Sequence, residues 1–231
     1  LLSVILRAHY VRARMTENTE LNADHNAPLL EARMLSCERD ERLLFADLSL
    51  RVEFGNVLQI AGSNGSGKTT LLRILCGLND GYEGEILWRG QNTTDVSEAF
   101  AGDLLYFGHR VGVSKILTPL ENLRWSAGLQ RHVDDELLLQ ALATVGLRGF
   151  EESPCYTLSA GQQQRVSLAR LRLSPATLWV LDEPFTTLEV DAVAQLELTL
   201  AEHAERGGGV IVTTHHTLSM PRLTRLTLGV G

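Results

Sequence analysis

Lysine is nearly missing from this chain. The 231 residues carry 21 basic side chains, of which only Lys68 and Lys115 are lysines, against 28 acidic ones, for a net charge of −7. That balance excludes a protein that grips nucleic acid over its whole surface, because neutralising phosphates takes an excess of cations. Cysteine is sparse as well. Cys37, Cys76 and Cys155 lie far apart with no Cys-x-x-Cys pair. This count excludes a disulfide scaffold or a cysteine metal knuckle and suits a reducing cytosol. Long apolar runs are absent too. Stretches such as 178–181 fall far short of the roughly 18 residues that span a bilayer. Residues 1–6, Leu-Leu-Ser-Val-Ile-Leu, lack a preceding basic region and are followed by Arg7, Arg12 and Arg14, which argues against a signal peptide.

What is present is ordinary for a globular chain, with 44% hydrophobic and 21% charged residues. At this length a chain buries roughly 70% of its unfolded surface, enough for a sizeable core. Residues 1–28 read as a disordered extension, polar and free of aromatics in its later half, with Met15 as the expected start. The remainder, 29–231, reads as one unit. Residues 30–37 and 44–54 alternate apolar and polar around Asp40-Glu41, as an antiparallel pair does. Short apolar strands are expected at 57–61, 85–88, 104–107, 178–181, 209–214 and, at the edge, 225–230. Helical spacing covers 68–76, closed by Gly77, then 161–173 and 188–204. The leucine-rich stretch 118–146, broken near 132–134, belongs to a helical subdomain of about 112–174 inserted into the rest. Strands alternating with helices predict an α/β fold, a mixed sheet with antiparallel edge strands.

Chemistry enters at Gly62-Ser-Asn-Gly-Ser-Gly-Lys-Thr69, which fits G-x-x-x-x-G-K-[ST] between an apolar strand and a helix. Chance would produce these four fixed positions in such a chain about one time in a hundred. The glycines let successive N–H groups turn toward a phosphate, and the helix adds its positive end. Gly62, Ser63, Asn64, Gly65, Ser66, Gly67, Lys68, Thr69 and Thr70 are therefore the expected nucleotide-binding residues. Lys68 reaches the β- and γ-phosphates and the Thr69 hydroxyl ligates Mg²⁺. Farther on, a buried strand ends in Asp182-Glu183-Pro184, placing two carboxylates where α/β sheets bind ligands. Asp182 is the second Mg²⁺ contact and Glu183 the group that polarises the attacking water. His215 closes another apolar strand and is expected at the γ-phosphate.

Leu158-Ser-Ala-Gly-Gln-Gln-Gln-Arg165 is the distinguishing feature. Ser159 is placed to cap a helix whose small first residues leave N–H groups facing outward. The segment resembles the LSGGQ signature of the ATP-binding-cassette ATPases, and the resemblance covers residues 29–231. It implies an ATP-hydrolysing P-loop fold in which Leu158, Ser159, Ala160, Gly161 and Gln162 meet the ATP held by a second copy of the chain.

A finer resemblance is to the heme-exporter branch of that family, which serves cytochrome c maturation. It is carried by 30–33 (Leu-Glu-Ala-Arg), 37–42 (Cys-Glu-Arg-Asp-Glu-Arg), 105–109 (Leu-Tyr-Phe-Gly-His), 117–123, Ala160 and 181–186 (Leu-Asp-Glu-Pro-Phe-Thr). It implies ATP and Mg²⁺ as ligands, integral membrane subunits of a heme exporter as partners and no nucleic acid. It also implies a peripheral place on the cytoplasmic face of the inner membrane. Two further readings stay open: a cassette for another exporter, of drugs or polysaccharide, and a soluble cassette outside transport. The chain departs from the general pattern in three places. His109 stands where most members have a glutamine, Glu189 replaces the aspartate expected after the acidic pair, and no aromatic stands near Arg39 to stack on adenine. The Arg39 guanidinium is the candidate replacement.

Overall fold

The computed structural model of the protein describes residues 27–128 and 133–229. Most of the expected extension and Val230, the end of the last expected strand, lie outside these residues. Two sheets build the described fold. Strands β1 (Leu30–Arg39) and β2 (Arg42–Val52) pair antiparallel across the two-residue turn Asp40-Glu41, whose φ angles of 53° and 60° are those of the hairpin turn that matches strand twist.

The buried positions of β1 are Leu30, Ala32, Leu35 and Cys37, so the alternation slips by one residue between Ala32 and Leu35. A bulge at Met34, φ 51° and exposed, absorbs the slip and returns Leu35 to the core. A second bulge at Asp47, φ 51°, lies in β2 at the next register shift, opposite the Leu35–Cys37 stretch of β1. The displaced N–H groups find serines: Met34 donates to Ser49 Oγ at 3.0 Å and Asp47 to Ser36 Oγ at 3.1 Å.

Strand β4 (Glu83–Trp88) extends this sheet on the other side of β1, followed by the short β5 (Gln91–Asn92). The second sheet is wholly parallel, in the order β6 (Leu104–Phe107), β7 (Leu178–Asp182), β8 (Gly209–Thr213), β3 (Val57–Gly62), β9 (Leu223–Leu228). The antiparallel and parallel strands expected from sequence are both present, divided between two sheets. Every residue of β7 and β8 is buried, as in strands covered on both faces.

Three apolar clusters fill the layers. One joins the antiparallel sheet to helix α1 (Lys68–Leu75), which contributes Leu71, Leu72, Ile74 and Leu75, and to one face of the parallel sheet. On the opposite face lies α6 (Val190–Glu205), burying Leu196, Leu200 and Ala204 at helical spacing. The third cluster lies among α3 (Pro119–Gly128), α4 (Asp135–Thr144) and α5 (Ala160–Ala169), through Leu123, Leu138, Leu142 and Val166.

Two local details differ from the sequence expectation. A short helix α2 (Ser97–Gly102) precedes β6, and the helix expected over 161–173 tightens to a 3₁₀ turn at Arg170–Arg172. Pro175 disfavours helical geometry at Ser174, so the helix must finish before it. The Arg170 side chain folds back onto Ser167, donating to its carbonyl at 3.1 Å and its hydroxyl at 2.9 Å.

Candidate functional site

Strand β3 ends at Gly62, where a Cβ would come within 2.6 Å of Ser66 Oγ and 2.7 Å of the Leu228 carbonyl. The backbone therefore curls at a distance no side chain permits. It enters α1 through Gly67, φ 93°, the residue that caps the helix without a side chain of its own. Lys68, only 9% exposed, opens the helix and turns back into the loop, donating to the carbonyls of Gly62 at 2.8 Å and Ser63 at 3.2 Å. Ser66 Oγ is buried inside the same loop without a hydrogen-bond partner. An ammonium and bare polar atoms gathered at a helix N-terminus make an anion site.

Strand β7, two places along the sheet from β3, brings the carboxylates. Asp182, 1% exposed at the end of β7, accepts from Thr69 Oγ1 at 2.8 Å and from Thr213 Oγ1 at 2.7 Å, one on each oxygen. Glu183 follows with φ 51°, left-handed backbone that a glutamate adopts only when its surroundings impose it. The imposition is visible: its N–H donates to the carbonyl of Thr213 at 3.1 Å and to that residue's hydroxyl at 3.0 Å. Glu183 Oε1 is buried with no hydrogen-bond partner, and the exposed His215 Nε2 stands 3.6 Å from it, too far for a hydrogen bond. A carboxylate oxygen left open in the cleft can accept a hydrogen bond from a ligand. Beside the pair, burial first and the Asp182 charge second push the Tyr106 phenol up to about 12, so it stays neutral.

These groups face one cleft of about 530 Å³. Asn64, Gly65, Gly67, Lys68, Thr69 and Thr70 line it, with Gly62, Ser63 and Ser66 forming the inside of the loop. Asp182, Glu183, His215 and His109 complete its walls, and Arg39 and Leu44 lie along it, with no aromatic in the lining. Thr69 and Asp182 are hard oxygen donors in contact, which suits Mg²⁺. Among the described residues no cluster of His, Cys, Asp and Glu could hold a metal alone. A cation here would take its remaining ligands from phosphate oxygens and water.

The 158–162 segment does not line this cleft. Ser159 caps α5 reciprocally with Gln162: its Oγ accepts from the Gln162 N–H at 3.1 Å, and Gln162 Oε1 accepts from the Ser159 N–H at 2.9 Å. Leu158 is buried behind it, whereas Ala160 is exposed. At Gly161 a Cβ would stand 2.8 Å from the Thr187 carbonyl, so the acidic strand's outgoing loop presses on the first turn of α5. Glu189 caps α6 without a side-chain hydrogen bond. Sequence reasoning missed Thr213, Leu44 and Thr186. Thr213 ends an apolar strand and touches Asp182 because β7 and β8 are neighbours in register, Asp182 opposite Thr213.

Known proteins resemble this chain in sequence and fold. The family model described as "ABC transporter" matches residues 45–186. The "Cytochrome c biogenesis ATP-binding export protein CcmA" of Hahella chejuensis is 53% identical over 203 residues, covering 87% of this chain and 96% of the relative. The protein of the same name from Escherichia coli K12 is 50% identical over 202 residues, with the same coverage of 87% and 96%. Among solved structures, a putative ABC transporter ATP-binding protein from Pyrococcus furiosus superposes with a TM-score of 0.76 at 28% identity, over 86% of this chain and 96% of that one. The dimeric post-hydrolysis structure of the cassette MJ0796 bound to ADP and Pi superposes with a TM-score of 0.74 at 22% identity, over 86% and 96%, a likeness of fold. No helix among the described residues is long and apolar enough to cross a membrane. A phosphate loop, an acidic pair ending the next-but-one strand and a separately capped signature helix, with relatives of this closeness, have one reading: the chain belongs to the ABC transporter family, as an ATP-hydrolysing cassette.

Proposed function

We propose that this cassette drives a membrane export system for c-type cytochrome biogenesis and handles heme there. Its near full-length similarity to relatives named for that process supports the reading, and the open Glu183 Oε1 facing the phosphate loop supports the chemistry. Lys68 exchanges its two loop carbonyls for the β- and γ-phosphate oxygens of ATP, and the loop N–H groups hold the phosphates from behind. Thr69 and Asp182 hold Mg²⁺, which supplies positive charge to those oxygens. Glu183 accepts the proton of a water aligned on the γ-phosphate, and His215 holds the far side of that phosphate. Arg39 and Leu44 receive the base, and His109 carries the state of the cleft to the membrane partner.

The chain works as a pair with a second copy. Residues 158–162 of each copy face the ATP of the other, with Glu189 at the junction. Residues 29–231 form the cassette, and within them about 112–174 form a helical subdomain that meets integral membrane subunits at the cytoplasmic face of the inner membrane. Nucleic acid has no part in it. The test has two arms. Lys68→Ala in the assembled complex is expected to abolish ATP hydrolysis, because it removes the charge that holds the phosphates. Deleting the gene is expected to remove covalently bound heme, visible by heme staining of cytochromes. Normal heme staining in the deletant would defeat the biogenesis assignment, and wild-type turnover by Lys68→Ala would defeat the site.

A further inference from the structure

Strand β3 reads Val57-Leu58-Gln59-Ile60, an apolar run interrupted by one amide that is 3% exposed. A buried amide in a central strand is costly unless its donors and acceptor are all met. Here they are met by two different elements. Oε1 accepts from Arg225 Nε at 3.1 Å and Nη2 at 3.0 Å. Nε2 donates to the carbonyl of His216 at 3.2 Å and to that of Thr214 at 3.4 Å.

The arrangement has a direction. Arg225 is the residue directly opposite Gln59 in the β3–β9 ladder. A guanidinium can only donate, so it captures Oε1 and turns the NH₂ end the other way. That end meets the two carbonyls flanking His215, beyond the last residue of β8, where the strand ladder no longer holds the chain. The segment is fixed on its far side through His216, whose N–H donates to Thr214 Oγ1 at 2.9 Å. The His216 ring Nε2 lies 3.1 Å from Glu197 Oε1, with Phe185 against the ring at 5.2 Å between centroids. His215 is left between two anchors, its own ring exposed and directed at Glu183.

We propose that Gln59, oriented by Arg225, is a positioning residue for His215. It acts through the backbone on either side of that histidine and touches no substrate. The inference rests on the reading of His215 given above. Its chemistry is specific: the loop needs a donor at this position, and an acceptor of the same shape repels both carbonyls.

Steady-state ATP hydrolysis by the assembled complex tests it. Gln59→Glu keeps the acceptors for Arg225 and removes the two donors. It is expected to lower kcat by about tenfold or more, the scale of misplacing a reacting group, and to leave KM for ATP within about twofold. Arg225→Met, at an exposed position, takes both donors from Oε1 and loosens the hold of the amide on the two carbonyls, and is expected to lower kcat in the same direction. Arg225→Lys, which still offers Oε1 a donor, is expected to restore most of it. In a His215→Ala background, followed by single-turnover ATP cleavage, Gln59→Glu should cause no further loss, because its effect passes through the missing ring. Wild-type kcat in Gln59→Glu and Arg225→Met overturns the proposal, as does a full additional loss in the His215→Ala background or a loss confined to KM. Should Gln59→Glu fail to fold, the two Arg225 variants decide alone. Wild-type turnover by His215→Ala itself would instead show that the underlying reading of His215 is wrong.

Discussion

Glu183 is the proposed base of the cleft. Its left-handed backbone costs on the order of 1–3 kcal/mol, offset by the two bonds that its N–H makes to Thr213. The result is a buried carboxylate oxygen with no hydrogen-bond partner and with His215 Nε2 at 3.6 Å. Glu183→Gln preserves shape and reach but not basicity. ATP hydrolysis should fall by about 10² or more while ATP affinity, measured by equilibrium binding, stays near that of the parent chain. Equal loss of both would remove Glu183 from the base role. The motif residues were legible in the sequence because their chemistry is carried by short covalent spacing: eight residues of one loop and helix start, two at one strand end. Thr213 and Gln59 were not, since each matters through the strand beside it, and the order β7-β8-β3-β9 cannot be read along the chain.

Among the elements, the hairpin of β1 and β2 shows sequence and structure in partial conflict. Alternation predicted the pair and its turn, yet both turn residues, Asp40 and Glu41, occupy left-handed backbone that favours glycine. Glu41→Gly should raise the thermal midpoint, by an amount equivalent to about 0.5–1 kcal/mol, half or less of the left-handed penalty once glycine's extra unfolded freedom is subtracted. A lower midpoint by calorimetry would show the glutamate side chain contributing what the strain removes. The two bulges were invisible in advance, because an alternation that slips by one residue looks like a weak strand until serines are seen catching the displaced N–H groups.

A second element, α6, carries a pH dependence. His203 stacks on Trp179 of β7, ring centroids 3.7 Å apart, with its Nε2 2.9 Å from the Thr177 carbonyl. Burial holds its pKa below the usual value, the Thr177 bond opposing only in part. The unfolded chain therefore takes up a proton near pH 6.5, about the ordinary histidine value, before the folded chain does. Stability from this group is full above that pH and is lost as pH falls below it. The drop in thermal midpoint between about pH 7.5 and about pH 5.5 should be smaller in His203→Phe, which keeps a ring on Trp179 but cannot titrate. An unchanged drop would assign the acid sensitivity elsewhere.

At the scale of the whole molecule, the cleft and the signature helix sit apart on one chain. Residues 158–162 are capped, partly exposed and absent from the lining of the site that holds Lys68 and Glu183. That separation has a genetic consequence. In the proposed pair every site borrows its lid, so a copy damaged only at Ser159 harms its partner's nucleotide and not its own. A cell making equal amounts of intact and Ser159→Arg chains would assemble wholly intact pairs only about a quarter of the time, by random symmetric association. Ser159→Arg and Lys68→Ala chains, each inactive alone, should recover part of the ATP hydrolysis when expressed together, because their mixed pair still holds one whole site. No recovery would mean that each chain completes its own site.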